Sequence, residues 1–494
     1  MNFYPYKINP LKYIINISLV GYLFWMGCTK PEQAPKNIIA QVDDRLISVE
    51  EFRLFYELDP NFGIDSTGFT ALKDELLFFF DQIRALKRAE QDGLTDDPVF
   101  ARAVGWEERQ AMLRELFRQD VLAKVEVQDD ELRRKYVMNN IEIRTRHLFS
   151  KSKSDILKLK KQLDEGKSFR DLAKYVFNDT LLAHNGGDLG WIKAGELDEN
   201  FAKSALALNK GQISDIIQTR YGYHIIQLLD RKNQLMFNED DFNRQKKSIA
   251  KKIRQQKSMQ LSRQYIKEFM KDLNPQPEKR IMEKLWKALI PPQENEKKIL
   301  SHKVYLTNNL LKKAGQKLQN DLDKKIIRTK RGGIRLGDYW NSLFTVPVSH
   351  RPSFKSLREL SYQIAVWYRD ELLYKEAKKR QLDENETVKK EVRRFKEEQS
   401  YYYYLNQYTD NTHVPDEVKR FYTTKDTTLL KKNPQLSRFA TLQIWKDYMA
   451  RKALAKDLRR IPLNITIDEK KLLEENARIN WDRRIRMFMV RKPQ

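Results

Sequence analysis

Two of the six histidines in this chain of 494 residues, His147 and His224, stand in segments whose alternating apolar residues read as strands: Ile141 to Ser150 and Gln218 to Leu228. One histidine on a strand is ordinarily a satisfied structural residue. These two are accompanied by other groups. Leu197 and Phe201 are four residues apart in a helical pattern, a spacing that predicts one shared helix face and an apolar slot. Leu206 continues that pattern, and Thr219 places a hydroxyl five residues before His224. The run Asn185-Gly186-Gly187-Asp188-Leu189-Gly190-Trp191 provides the positive φ of a tight turn and lacks the spacing of a phosphate loop. Imidazoles and a hydroxyl beside an apolar slot suit the orientation and polarisation of a neutral substrate. Such work requires neither nucleophile, metal nor cofactor.

These segments follow a set order. The strand with His147 leads to helices over Ser154 to Asp164 and Phe169 to Phe177, parted by Glu165-Gly166-Lys167-Ser168. Then come the glycine run, the helix carrying Leu197, Phe201 and Leu206, the turn Lys210-Gly211-Gln212-Ile213-Ser214, and the strand with His224. This order resembles the parvulin (PpiC-type) peptidyl-prolyl isomerase family across residues 141–233. The resemblance implies an α+β domain with a small, mostly antiparallel sheet flanked by helices. It makes Leu197 and Phe201 the pocket for a proline ring, with Leu206 as a further wall. His147 and His224 become the paired histidines of neighbouring central strands, with the Thr219 hydroxyl bonding into that pair. The residues suit the turning of an X-Pro bond, whose barrier of about 18–20 kcal/mol comes from amide resonance. One position departs from the family: Thr180, after Asp179, stands where a catalytic cysteine or aspartate is expected. A threonine donates a hydrogen bond but supplies no negative charge, so weak turnover is expected. Ser152-Lys153-Ser154 leads straight into helix, leaving no basic loop for phosphate-directed specificity.

The rest of the chain has a different texture. Glycine and proline are scarce, 17 and 16 residues, which predicts a mainly α protein around the one α+β domain. Ile38 to Val42, Asp43-Asp44 and Leu46-Ile47 read as strand, turn and strand, and Ser48 with Glu51 caps a helix. Long helical patterns fill about 70–139, so 38–140 is one helical module. A return helix over about 238–272 ends at Asn274-Pro275-Gln276-Pro277, within a connector spanning 234–290. An internal repeat follows at an offset of about 287 residues. Ile47-Ser48-Val49-Glu50-Glu51-Phe52 matches Ile334-Arg335-Leu336-Gly337-Asp338-Tyr339. Ala89 to Leu94 matches Ala377 to Leu382, and Asp130-Glu131-Leu132 with Tyr136 matches Asp416-Glu417-Val418 with Tyr422. The second module spans 291–425, with Trp367, Tyr368 and Tyr401 to Tyr404 as its core and groove residues. Residues 426–494 form a degenerate segment, with a strand at Leu436 to Ile444, a helix and a tail, without the glycine run or the histidines.

Residues 1–28 read as an export signal: Lys7 and Lys12, an apolar run from Tyr13 to Met26, then Gly27-Cys28. This end resembles a bacterial lipobox, which implies acylation of Cys28 and a membrane-anchored lipoprotein of the cell envelope facing the periplasm. Residues 29–37 are a polar tether. With one cysteine, no intrachain disulfide is possible. The net charge of +25 lies wholly in the C-terminal half: residues 241–494 carry 59 Lys and Arg against 31 Asp and Glu. That basic half suits acidic unfolded clients or anionic lipid. Nucleic acid is excluded as a partner, because no recognised motif accompanies the charge and export contradicts it. A helical module, an inserted parvulin-like domain and a return helix look like the SurA and PrsA chaperone family. The resemblance implies an isomerase and holdase for unfolded or proline-containing polypeptides, secreted or outer-membrane. The alternative is a non-catalytic peptide-binding chaperone that retains the fold.

Overall fold

The computed structural model describes residues 37–59, 62–63, 66–233, 238–290, 303–330, 332–424, 427–431, 433, 436 and 441–481. The expected export signal, Cys28 and residues 29–36 of the tether lie outside them, as do Pro291 and Pro292. Among the described residues no helix is long and apolar enough to cross a membrane. The chain divides into two compact units, residues 120–266 and the remainder.

The larger unit opens with a hairpin, β1 (Ile38–Val42) and β2 (Arg45–Ser48), turned at Asp43 with φ of 51°. The Ser48 hydroxyl accepts from the Glu51 amide at 3.1 Å and starts α1 (Val49–Leu58). Then come α2 (Gly68–Gln91) and α3 (Pro98–Asp120), separated by a short 3₁₀ turn. In the smaller unit follow α4 (Asp129–Asn139), β3 (Ile141–Ser150), α5 (Lys153–Asp164), α6 (Phe169–Val176), α7 (Thr180–Asn185) and β4 (Asp188–Lys193). It continues with α8 (Glu199–Ala207), β5 (Ile217–Gln218), β6 (Tyr223–Asn233) and most of α9 (Glu239–Met270). The sheet order is β4-β3-β6-β5, antiparallel throughout. One face carries Ile143, Ile226 and Leu228 against Phe201, Ala202 and Ala205 of α8. The other carries Leu148 and Ile225 against Ile156, Phe169 and Leu172 of α5 and α6.

The larger unit resumes with β7 (Gln276–Pro277), α10 (Lys279–Leu289), β8 (Val304–Tyr305), α11 (Asn308–Leu318), β9 (Lys325–Arg328), β10 (Ile334–Arg335) and α12 (Leu336–Thr345). Next are β11 (Ser353–Phe354), α13 (Leu357–Lys379), α14 (Glu386–Asn411) and α15 (Asp416–Thr424). The last elements are α16 (Leu442–Leu458), β12 (Ile465–Ile467) and α17 (Glu469–Arg478). The order hairpin, ten-residue helix, long helix, 3₁₀ turn, long helix and short helix therefore occurs twice. Both copies turn after the first long helix on a left-handed residue, Gly93 and Gln381.

Two expectations for the connectors change. None of the described residues of the strand expected at Leu436 to Ile444 is in a strand: the Thr441 hydroxyl caps a helix at the Ile444 amide, and Leu436 sits in a turn closed onto Asn433. The boundaries set at 291 and 426 also separate partners. Ile281, Met282, Leu285 and Leu289 of α10 lie in the core with Ile326, Leu336 and Tyr339, while Leu472 of α17 lies in the core of β1, α1 and α2. Tyr401 and Tyr404 of α14 pack on Ala85, Ala89 and Leu94, so they join the two modules instead of lining a groove in one.

Charge is buried at that junction. Glu397 of α14, 1% exposed, accepts from Arg45 and from Arg394, and the Arg394 guanidinium lies 4.4 and 4.5 Å from the ring centres of Phe55 and Phe79. Removing one partner of a buried ionic group leaves the others uncompensated, at about 3–5 kcal/mol. Glu397→Ala should lose about that much stability in urea unfolding, whereas Lys389→Ala, on exposed pairs, should lose under about 1 kcal/mol.

Candidate functional site

β3 and β6 are the central strands, and their register sets the site. His147 stands opposite Ile226 and Phe149 opposite His224, so the two histidines are diagonal neighbours on one face. Their Nδ1 atoms are 3.1 Å apart, with ring planes at 15°. Thr219 Oγ1 lies 2.9 Å from His224 Nε2 and accepts from the Tyr221 amide at 3.1 Å. Phe201 meets both imidazoles edge-on, at 5.8 and 5.5 Å between ring centres.

Two glycines let the backbone come this close. A Cβ on Gly187, at φ of 78°, would fall 2.2 Å from the His147 carbonyl oxygen. One on Gly222, at φ of 148°, would fall 2.6 Å from the Ser150 carbonyl oxygen. The Gly187 carbonyl in turn accepts from the His147 amide at 3.0 Å, which ties the glycine turn to the strand.

Two facing Nδ1 atoms hold a hydrogen bond only with one proton between them, so at most one ring is charged, and at neutral pH neither is. Burial enforces this. It lowers the His147 pKa to about 4, helped by repulsion from His224, and it lowers that of His224 against the pull of Asp198. His147 Nε2 is buried and has no hydrogen-bond partner among the described residues. Among those residues no group of three His, Cys, Asp or Glu side chains is placed to hold a metal.

The structure thus gathers His147, His224, Thr219 and Phe201. It corrects the placement of Leu197, which does not share a helix face with Phe201. Leu197 ends a 3₁₀ turn in extended conformation, ahead of the Asp198 cap that starts α8. It reaches the same apolar cluster, as does Leu206, each partly buried. Thr180 is the exposed first residue of α7, behind its Asp179 cap. Among the described residues, no hydrogen bond or ring contact joins it to the histidines. Two aromatics escaped the sequence reading: Phe177, 5.2 Å from the His147 ring, and Phe149, 5.0 Å from the His224 ring. Phe149 was readable, being two residues from His147 on one strand face. Phe177, at the end of α6, had no such periodicity to mark it.

An antiparallel sheet of order β4-β3-β6-β5 with paired histidines on its central strands defines a parvulin-type domain. Residues 144–230 match the Rotamase family, described as the PPIC-type PPIase domain, so the chain carries a PpiC/parvulin-type domain. It is 36% identical over 133 residues to the foldase protein PrsA of Geobacillus sp. (strain WCH70), covering 26% of this chain and 48% of that one. It is 28% identical over 232 residues to the foldase protein PrsA of Oceanobacillus iheyensis, covering 44% and 75%. The chain spans about half the length of most of the first curated relatives it matches. A crystal structure of the peptidylprolyl isomerase PrsA from Bacillus anthracis is 29% identical, covering 30% of this chain and 62% of that one, with a TM-score of 0.22.

Two measurements check the site's physics. An unfolded histidine takes a proton below about pH 6.5 and the folded His147 only below about 4, so acid favours the unfolded chain. The contribution is whole above about 6.5, is lost as pH falls towards 4 and changes no further below that, a loss of at most about 3.5 kcal/mol. Urea unfolding of the His147→Gln protein should show a shallower decline across this window than the unaltered chain. Gly187→Ala forces a positive φ and a backbone clash together, and should cost more than about 1 kcal/mol by the same measurement.

Proposed function

We propose that residues 141–233 catalyse peptidyl-prolyl cis/trans isomerisation and that the whole chain is a foldase and holdase for exported polypeptides. The single observation carrying this reading is the neutral His147–His224 pair, its Nδ1 atoms 3.1 Å apart beneath the edge of Phe201. Rotation about an X-Pro bond breaks amide resonance and makes or breaks no covalent bond. What is needed is an apolar seat for the proline ring and a polar group for the twisted amide. Phe201 with Leu197 provides the seat, and Leu206 extends its apolar support. His147 Nε2, the polar atom left without a partner, meets the amide. His224 holds the tautomer of His147, and Thr219 holds that of His224. Neither histidine serves as a general base, because no proton is transferred. The PrsA relatives are foldases by name, which supports unfolded polypeptides as clients.

Phe201→Leu should lower kcat/KM on an Ala-Pro or Leu-Pro peptide while keeping the fold. Thr219→Val, which strips His224 Nε2 of its partner, should lower it roughly tenfold, the equivalent of about 1.4 kcal/mol. A protease-free isomerisation assay reads both, and unchanged rates would remove the pair from the mechanism. A second reading, a non-catalytic peptide clamp, is favoured by the exposed Thr180, which brings no negative charge to the pair. It requires suppression of client aggregation with no isomerase rate above background. The export signal and acylated Cys28 complete the proposal, placing the protein on an envelope membrane. Mass spectrometry of the mature N-terminus should find a diacylglyceryl-cysteine.

A further inference from the structure

The two copies of the hairpin-and-helix module agree residue by residue in one unexpected place. β12 adds antiparallel to the outer side of β1, with Ile467 opposite Ala40, and the Asp468 amide donates to the Ile39 carbonyl at 2.8 Å. In the other copy β7 adds antiparallel to β9, with Pro277 opposite Ile327, and the Glu278 amide donates to the Ile326 carbonyl at 2.9 Å. Ile326 and Ile327 lie 287 residues after Ile39 and Ala40, the offset of the repeat. Each added strand runs directly into a helix, α17 or α10, started by an acidic residue, Asp468 or Glu278. Each helix sends its fourth and seventh residues after that cap into the receiving module: Leu472 and Glu475, Met282 and Leu285. The strand and helix that follow the first copy along the chain thus complete the second, and those that follow the second complete the first.

We propose that residues 464–479 are an exchangeable ligand of the N-terminal module. The outer edge of β1 with the adjoining flank of α1 and α2 is then a binding site for a strand–helix segment. When its own tail leaves, the partner that site takes is the same segment of a second copy of this chain. The site is built for that pattern. Backbone bonds to β1 set the register, and Leu472 fills the core beside Ile39, Ile47 and Phe52. Glu475, 2% exposed, accepts from Arg53 Nε at 2.8 Å and from the Tyr56 hydroxyl at 3.1 Å. An emptied site leaves a bare strand edge, an open core and an unneutralised arginine, which only a segment with the same strand, cap, apolar residue and carboxylate satisfies together. A second copy is favoured because the segment already crosses from one copy of the repeat to the other. Crossing to another molecule keeps every one of these contacts and changes only the path of residues 459–464. Tethering holds the tail at an effective concentration of about millimolar, so the closed single chain prevails in dilute solution.

The test uses the full chain with Cys28→Ser, Gln41→Cys and Thr466→Cys, the last two being strand partners, made with two distinguishable tags. Undisturbed protein should close the disulfide within one chain. The two tagged forms, unfolded together and refolded at high concentration, should yield disulfide-linked dimers carrying both tags. Disulfides confined to single chains at every concentration would overturn the exchange, and failure to close one in the undisturbed protein would overturn the docking. Separately, full-length Leu472→Asp should bind a labelled peptide of residues 461–480 at least tenfold more tightly than the unaltered chain, whose site is filled. Equal binding by two folded proteins would overturn the site. Should Leu472→Asp fail to fold, the disulfide experiment, which leaves Leu472 in place, decides alone. None of these readouts depends on isomerase activity.

Discussion

A hydrogen bond between two Nδ1 atoms exists only while the imidazoles share a single proton, and that requirement reaches outward through the parvulin-type domain. Keeping both rings neutral takes burial, supplied by Phe201 above and by Phe177 and Phe149 on either side. Bringing the rings within 3.1 Å takes the diagonal register of β3 and β6. Backbone that tolerates no side chain, at Gly187 and Gly222, lies against β3 at His147 and Ser150. The glycine run, which resembles a ligand loop when read alone, serves to lay a turn against the strand bearing His147.

The larger unit answers a different constraint. A two-stranded hairpin cannot bury its own apolar face, so each module borrows a third strand and a helix. The loan is reciprocal, and the junction is reinforced by buried carboxylates, Glu397 paired with Arg45 and Arg394, and Asp81 paired with Arg84 and the half-exposed Arg459. Buried ionic groups of this kind add little net stability but penalise any arrangement that separates them. They make the two copies one body in place of two beads on a string. The second copy carries neither the glycine run nor a histidine pair, so its sequence is free to serve packing alone.

Under the proposed function the two units meet different physical demands. The isomerase site needs a small, dry, rigid hollow, and short strands with tight glycine turns provide it. A scaffold for unfolded chains needs extent, and long helices provide that at 1.5 Å per residue. Part of the lysine and arginine excess of the C-terminal half lies on α9 of the smaller unit, and the rest on the larger unit.

The chemistry-bearing residues were legible because they are local: a histidine on an alternating strand, a capped helix, glycines where φ must be positive. His147, His224, Thr219 and Phe201 could be named from spacing and motif order, and the repeat of the helical module from matched hexapeptides. Leu197 was placed on the wrong side of a cap, because Asp198 starts the helix one residue after it and a four-residue spacing does not report where a helix begins. The apolar residues around Leu442 read as a strand until the Thr441 hydroxyl claimed the Ile444 amide. Periodicity and capping along the chain therefore determined which elements exist and which residues carry function. Only the tertiary structure decided which strand completes which hairpin, because edge pairing and core filling depend on backbone groups and surface area that every strand offers alike, and their choice is made by the energy of the whole assembly.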